Sequence, residues 1–551
     1  MGITIEYSGG MSAEGTVIDA AAPGRVGMSG GPRTRVRPDA VAVAFALVVA
    51  VSAVYFVGVT SDSWFFADEW AMARQVQRTR DIVDPYNGHL SVTILGLYRV
   101  LLELFGFTTH LPYRVAGIAS FVAVPVAMFA VARRGVGAAA AAIAGLLLLW
   151  FRGMGLEPGA LNHSLALLGA IVCAGALTGR GRRNDILVAA SLAFALGSSG
   201  GGVPVAVAAV VHSLCSRATR WRWLAVLLPS AAWLAWRVVF VPAEPREIQE
   251  LRPGVLELAR GAVRQAVESF RFLALGNRAI GWMLLALFLA YAAWRVRRGL
   301  VAAANVLAWT AGLLAWWFGL MWSRLFLADP DPIFRYEWVS AGFVLLALLP
   351  TSPLARPGRP TTSTRRAAVL AVTGVLLVAA FLAHSVQPDV EDFARQYAVI
   401  GRHTRGQAAV MADPNTRISP DVELGFEFAH LTTGRIAGIL GRYGAPGGSG
   451  ETDELLVEMG AVRLASGPKG PPPPGCEGLR GPDLVAPDSR IELHASAGTS
   501  EVRVRRFGRE WVTVGRLQED RHTTLVLPGY LATAPWHISS TEPVCARPVR
   551  N

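Results

Sequence analysis

The sequence predicts an α-helical polytopic membrane protein with about eleven transmembrane helices and a smaller extracytoplasmic C-terminal domain, α/β or β-rich. Two observations predict the membrane class. Hydrophobic residues make up 52% and charged residues 17% of the 551 residues, whereas soluble domains carry about a quarter charged residues. The apolar residues also form long blocks, such as 40–59, 301–322 and 367–383, of the length that a membrane-spanning helix needs.

Eleven apolar blocks lie between charged or Gly/Pro-rich breaks, and each predicts one transmembrane helix. Their approximate centres are Val49, Val122, Gly145, Leu168, Ala190, Val207, Ala231, Ala286, Leu313, Val344 and Leu376. The predicted transmembrane domain therefore covers residues 39–384. It follows a polar cytoplasmic leader, residues 1–38, that is expected to be disordered.

The net charge of +12 does not indicate a nucleic-acid partner, because much of the arginine flanks the apolar blocks. Positive clusters there set the orientation of helices in a membrane. The clusters fall at 33–37, 133–134, 180–183, 217–222, 295–298 and 359–366. They occur at every second break, which predicts a multi-pass protein of the cell membrane with a cytoplasmic N-terminus and an extracytoplasmic C-terminus.

One predicted external loop departs from this charge rule, because it carries five arginines between the seventh and eighth helices. Within it, Val255, Leu258, Val263, Val267 and Phe270 recur at helical spacing with charged residues between them. This pattern favours an amphipathic helix lying in the membrane interface over an error in the topology.

The predicted external domain, residues 385–551, has a different texture. Apolar and polar residues alternate at 501–504, 511–514 and 523–527, with turn residues between the runs, which predicts a small antiparallel β unit. Cys476 and Cys545 bracket this unit. A disulfide between them is favoured over two free thiols in an oxidising compartment. The sequence pattern of residues 390–464 is mixed and does not predict the order of its helices and strands.

The first external loop, residues 61–90, holds the most informative motif. Asp68 and Glu69 follow the first helix by a few residues, among aromatic side chains that favour the membrane interface. A partly desolvated carboxylate is a better proton acceptor, because desolvation raises its pKa. The alternative is that Asp68 only caps a helix from Glu69 to about Arg80. Downstream, Gly88 and His89 complete the motif.

An acidic pair after the first helix and a Gly-His downstream, on an eleven-helix body with an external domain, resembles the GT-C glycosyltransferase superfamily. Its members include protein O-mannosyltransferases, lipid A aminoarabinose transferases and actinobacterial arabinofuranosyltransferases, and this chain looks like an actinobacterial-type member. By topology the resemblance covers residues 40–349, and by motif it covers the first loop. It implies transfer of a sugar, with inversion, from a polyprenyl-phosphate carrier to an acceptor outside the membrane.

The resemblance implies that Asp68 or Glu69 acts as the base or orients the acceptor hydroxyl. His89 then becomes a candidate for contact with substrate, although it follows a turn and could simply begin a helix. Glu157, in the second external loop, matches a position where some relatives carry an acidic residue. It stands alone and could be plain solvated surface, so the sequence indicates no metal site and identifies no cofactor.

Arg324, Arg335 and Tyr336, in and beside the last short external loop, resemble the positions that hold the carrier phosphate. Arginine suits this role because it stays charged and binds phosphate oxygens through two donors. The alternative is that both arginines snorkel at helix ends.

The expected partners are a polyprenyl-phosphate-linked sugar donor, membrane lipids and a cell-envelope glycan, lipid or protein as acceptor. Two other functions stay open. A transporter or flippase of lipid-linked glycans would need polar residues near helix midpoints, of which the sequence has few. A non-catalytic scaffold with an external binding domain would retain the same motif.

Reporter fusions test the predicted topology. A reporter that is active only outside the cytoplasm should work when fused after Asn551, because an odd number of spans puts the two termini on opposite sides. It should fail after Arg134, Arg183 or Arg298. Activity at any of these internal positions would contradict the eleven-span arrangement.

Overall fold

A computed structural model describes residues 39–86, 88–151, 161–242, 254–324, 334–349, 364–412, 420, 423–446, 462–479, 483–485, 489–495, 498–505, 511–527 and 536–548. The described residues form fifteen α-helices, and two 3₁₀ turns lie at Thr79–Val83 and Phe426–Phe428. The α-helices are α1 Ala40–Val59, α2 Asp68–Gln75, α3 Val92–Phe105, α4 Leu111–Ala132, α5 Ala138–Leu149, α6 Leu161–Leu177, α7 Arg182–Ser198, α8 Gly202–Cys215, α9 Arg220–Phe240, α10 Val255–Leu273, α11 Arg278–Arg297, α12 Leu300–Arg324, α13 Phe334–Ala347, α14 Thr364–Ala412 and α15 Thr433–Tyr443.

Every one of the eleven predicted centres lies inside a helix: α1, α4 to α9 and α11 to α14. Six of these are long and apolar enough to cross a membrane, namely α1, α4, α9, α11, α12 and α14. Helices α5, α6, α8 and α13 are apolar but shorter, and α7 begins with the charged residues Arg182, Arg183 and Asp185. The chain is thus a helical multi-span membrane protein, as predicted.

Contacts near helix ends bring three of the breaks between helices together. The indole of Trp236, near the end of α9, donates to the carbonyl of Val83 in the first loop at 2.7 Å. The ring of His89 in the same loop lies against Gly200, between α7 and α8. All three breaks belong to the set predicted to be external. Which end of the bundle faces the cytoplasm stays a prediction from the arginine clusters.

At the opposite set of breaks, Arg222 ties α9 to the turn between α6 and α7. Its guanidinium bonds Asp185 at 2.5 Å and donates to the carbonyls of Leu177 and Gly179, each at 2.9 Å. The Arg222 side chain is 9% exposed and that of Asp185 14%. A buried pair of this kind is satisfied only when all its partners are in place, so it fixes the register of three helices.

The loop helix predicted from residues 255–270 is present as α10. It buries Leu258, Ala262, Ala266 and Phe270 and leaves Val255, Leu256 and Val263 exposed. These four residues recur at a spacing of four, as expected for one face of a helix. A lipid-facing role for the exposed apolar residues stays a prediction.

Helix α14 runs without interruption through residue 384, where the transmembrane domain is predicted to end. It continues to Ala412 with Pro388 inside it. The 3₁₀ turn and α15 then pack onto the first loop through Phe428, Ile436, Ile439 and Leu440, which share one hydrophobic core with Phe65 and Trp70 of that loop. Part of residues 390–464, for which the sequence predicted no secondary structure, therefore covers the loop that carries the acidic pair.

The chain ends in a β-sandwich, as the alternating runs predict. Its strands are β1 Arg463–Lys469, β2 Glu477–Gly478, β3 Asp483–Val485, β4 Arg490–Ala495, β5 Ser500–Arg505, β6 Val512–Leu517, β7 Arg521–Val526, β8 Trp536–Ser540 and β9 Val544–Pro548. They form two antiparallel sheets, ordered β1-β7-β4-β9-β2 and β3-β8-β5-β6. Leu493, Val502, Leu525 and Trp536 from both sheets share one core. Cys476 and Cys545 form a disulfide, with Cα atoms 5.5 Å apart.

Removal of the Arg222 side chain tests its role in fixing the helices. Arg222→Ala leaves Asp185 buried without its partner, and breaking a buried pair in this way costs about 3–5 kcal/mol. The purified protein should unfold at a clearly lower temperature than the wild type. Arg220→Ala is the matched control, because Arg220 is exposed two residues away. Equal unfolding temperatures for the two variants would contradict the proposed role.

Candidate active site

The backbone around Ala67 sets the direction of the acidic pair. Ala67 has φ 38° and ψ −98°, a conformation that residues with a side chain rarely adopt. Its N–H donates to the carbonyl of Glu427 at 2.7 Å. The segment that covers the first loop, from the 3₁₀ turn Phe426–Phe428 to α15, therefore holds this strained residue in place. The chain then enters α2, which has Asp68 and Glu69 in its first turn. The N-cap position belongs to Ala67, so Asp68 is not the cap of a helix, and α2 ends at Gln75 rather than near Arg80.

Glu69 turns into the protein and is 1% exposed. Its Oε2 accepts from the backbone N–H of Phe66 at 3.0 Å. Its Oε1 accepts from the hydroxyl of Tyr98 on α3 and lies 3.0 Å from Nε2 of His110 at the start of α4. A buried carboxylate needs several donors of this kind. Glu69 is therefore committed to joining the loop, α3 and α4.

His110 faces an acceptor on each side of its ring. Its Nδ1 lies 3.0 Å from the carbonyl oxygen of Ser63, and its Nε2 meets the carboxylate of Glu69. Burial and the Glu69 carboxylate raise the pKa of Tyr98 well above its usual value, so the phenol stays a donor.

Asp68 has a different environment from its neighbour. It is half-buried, and the hydroxyl of Tyr86 lies 3.2 Å from its Oδ1 and 3.1 Å from its backbone carbonyl. Within the described residues, Oδ2 has no hydrogen-bond donor. Successive helix positions point about 100° apart, which is why the pair splits into one inward and one accessible carboxylate. Asp68 is thus the more accessible carboxylate of the pair, with one oxygen that accepts no hydrogen bond from the described residues.

A small cleft opens beside Glu69. Polar groups line one part of it: Thr60, Ser63, Glu69, His110 and Arg114. Apolar and aromatic residues of α4, α6 and α14 line the rest: Tyr113, Gly117, Ile118, Phe121, Leu161, Phe393, Ala394 and Tyr397. The cleft therefore joins a charged end to an apolar wall, as a ligand with a charged head and a hydrocarbon tail would require.

The other predicted site residues lie elsewhere. His89 is half-buried, and its backbone forms a two-bond bridge with Tyr86. Tyr336 is buried between Trp316 and His163, whose ring centroids lie 5.9 and 5.4 Å from its own. Gly201 packs on Trp316 and Gly200 on His89, so His89 and Tyr336 belong to one neighbourhood, separate from the residues that line the cleft.

Three predicted positions cannot be located in the site. Glu157 lies outside the described residues. The side chains of Arg324, the last residue of α12, and of Arg335, the second residue of α13, also lie outside the described part of the structure. In the described ranges, no three His, Cys, Asp or Glu side chains form a group that could hold a metal ion.

Sequence reasoning missed His110, Arg114 and Tyr98 as parts of the site. His110 lies 41 residues from Glu69 along the chain, and no local pattern links such positions. The sequence did carry one signal, because Pro112 at the start of an apolar block marks the first turn of a helix. That turn carries His110 and Arg114 to the end of the first loop.

No family model and no curated protein matches this sequence. Solved structures do resemble it. ArnT from Cupriavidus metallidurans, crystallised with undecaprenyl phosphate, is 17% identical, with a TM-score of 0.39 over 76% of this chain and 92% of that one. The oligosaccharyltransferase of Archaeoglobus fulgidus in its apo form is 11% identical, with a TM-score of 0.39 over 92% and 97%.

Glu69→Gln tests the structural role of the inward carboxylate. The amide offers one acceptor where three donors converge, so at least one buried donor loses its partner, at a cost of about 1–3 kcal/mol. We expect a lower unfolding temperature and faster proteolysis within residues 61–90. Glu103→Gln, at an exposed carboxylate on α3, should change neither. A Glu69→Gln protein as stable as the wild type would show that these bonds do not hold the loop.

Proposed function

We propose that this chain is a membrane glycosyltransferase of the GT-C type. It transfers a sugar from a polyprenyl-phosphate carrier to a cell-envelope glycan, lipid or protein at the external membrane face. The observation that carries the proposal is the accessible carboxylate of Asp68, next in sequence to Glu69, which lines a cleft that joins a charged end to an apolar wall. The match of Asp68, Glu69, Gly88 and His89 to the superfamily motif supports it, as does the succession of membrane helices.

The reaction is a single displacement. An acceptor hydroxyl attacks the anomeric carbon of the sugar as the bond from that carbon to the carrier phosphate breaks. The electron pair of the broken bond leaves with the phosphate, and the hydroxyl proton passes to Asp68. Because a phosphate is a good leaving group, positioning and one base supply most of what the reaction needs. Attack from the side opposite the phosphate inverts the anomeric centre.

Asp68 fits the base better than Glu69 does. Both oxygens of Glu69 already accept hydrogen bonds from buried donors, and removing its charge would disturb the loop before it changed the chemistry. Asp68 is half-buried and receives one side-chain bond, from Tyr86. Tyr86 would orient the carboxylate while the second oxygen takes the proton.

His89 and Tyr336 would act away from the cleft, in the neighbourhood of Trp316 and His163. This neighbourhood is aromatic and lies against the same loop as Asp68, which suits an acceptor glycan. Arg324 and Arg335 remain predicted phosphate ligands, and Glu157 a predicted substrate contact. The likeness to an actinobacterial-type member also remains a prediction.

Asp68→Asn tests the proposed base. The change keeps size and most hydrogen bonding but removes the proton acceptor, and loss of a general base lowers the rate by about 10²–10⁴-fold. The rate should be measured as sugar transferred from a polyprenyl-phosphate donor by the full-length protein in membranes. Asp81→Asn, in the same loop within the 3₁₀ turn, is the matched control and should transfer normally.

Two outcomes would count against the proposal. Full transfer by Asp68→Asn, with normal insertion and an unchanged unfolding temperature, would remove Asp68 from the chemistry. A wild-type protein that moves a lipid-linked glycan across the membrane but transfers no sugar would favour the transporter. One that does neither would favour the scaffold.

A further inference from the structure

We infer that Arg114 and the adjoining face of α4 form the binding site of the carrier lipid. Arg114 binds the phosphate and the groove beside Gly117, Ile118 and Phe121 receives the first prenyl units. The inference rests on the proposed function for the identity of the lipid and adds residues that the superfamily motif does not assign.

The partners of the charged groups in the cleft point to Arg114. The Glu69 carboxylate already accepts hydrogen bonds from Phe66, Tyr98 and His110. Arg114 lines the same cleft and forms no ion pair within the described part of the chain, so its charge is available to an anion. Asp62 acts on Arg114 electrostatically, but Asp62 is exposed, where water and salt weaken its pull.

The guanidinium of Arg114 is anchored but not saturated. One of its terminal nitrogens donates to the carbonyl of Thr60. Its Nε is buried and has no hydrogen-bond partner among the described residues. A buried donor without a partner is costly, and a phosphate oxygen would supply one. Arginine is suited to this because its donors are fixed in a plane and stay charged.

The apolar part of the cleft follows from helix geometry. Positions 114, 117, 118 and 121 recur at spacings of three and four, so they share one face of α4. At 1.5 Å per residue, this face runs about 10 Å from the charged end towards the middle of the span. Gly117 leaves open space on it, since a Cβ added there would meet nothing within 4 Å. Leu161 and Phe393 line the same cleft.

Binding of a polyprenyl phosphate to the full-length protein in nanodiscs tests the inference, with the matching polyprenol and inorganic phosphate as separate probes. Arg114→Ala should weaken binding of the polyprenyl phosphate about 10- to 100-fold, the usual effect of losing a hydrogen bond to a charged group. Arg395→Ala is the matched control. Arg395 on α14 follows Ala394, which lines the cleft, but its side chain is 74% exposed. It should bind like the wild type.

A second variant separates the groove from the anion site. Gly117→Leu places its Cβ in open space, with nothing within 4 Å. The protein should therefore fold, while the added side chain excludes the prenyl chain and the polyprenyl phosphate binds at least about 10-fold more weakly. Gly374→Leu, in α14, also adds a side chain in open space and should bind normally. Because the proposal needs both phosphate and lipid, neither the polyprenol nor inorganic phosphate should match the affinity of the polyprenyl phosphate.

The results distinguish this inference from the proposed function. Normal binding by Arg114→Ala and Gly117→Leu would overturn it, as would loss of binding in Arg335→Ala but not in Arg114→Ala. If inorganic phosphate binds as tightly as the polyprenyl phosphate, the groove does not bind the prenyl chain. Asp68→Asn should bind the carrier normally. If it also transfers normally, the proposed base fails while the binding site of the carrier lipid stands.

Discussion

The Glu69 carboxylate accepts a hydrogen bond from its own loop at Phe66 and two more from segments that are distant in sequence, α3 at Tyr98 and the start of α4 at His110. A carboxylate with 1% exposure is stable only while these donors surround it. The geometry of the first loop therefore depends on the packing of α3 against α4, and the direction of Asp68 depends on that loop. Much of the arrangement around the cleft follows from this one requirement.

The segment that covers the first loop, from the 3₁₀ turn Phe426–Phe428 to α15, also packs on this loop. Phe428 packs on Trp70, with ring centroids 5.2 Å apart, and Arg442 donates to the carbonyl of Gln77. At Gly106 the chain has φ 54°, and a Cβ there would collide with the carbonyl oxygen of Tyr443. Glycine is required for both reasons. The part of α14 beyond residue 384 and α15 thus cover the first loop, so removing residues beyond 384 would expose the core of the loop.

Much of the fold could be predicted from the sequence, because the strongest signals are local. Long apolar blocks located the eleven helices, the spacing of Leu258 and Phe270 located α10, and alternation at 501–504 located β5. The continuation of α14 was missed because Pro388 and the charged residues after it resemble a helix end. The amphipathic spacing of Ile436, Leu440 and Tyr443 in α15 was a usable signal. Without a partner surface, however, it could not reveal that these residues cover the first loop.

The site was only partly predictable, and the reason lies in the difference between Asp68 and Glu69. The sequence presents them as an equivalent pair, since both follow the first span and both sit among aromatic residues. Their roles separate only when the helix turns one towards Tyr98 and His110 and the other towards Tyr86, which are contacts made across 18 to 41 positions. Arginine clusters show the same limit. Arg222 was counted with Arg217 and Arg220 as a topology signal, yet it forms a buried ion pair with Asp185 inside the helix bundle. Residue type and position along the chain indicate which groups can do chemistry, but the tertiary contacts decide which carboxylate is committed to holding the loop and which remains accessible.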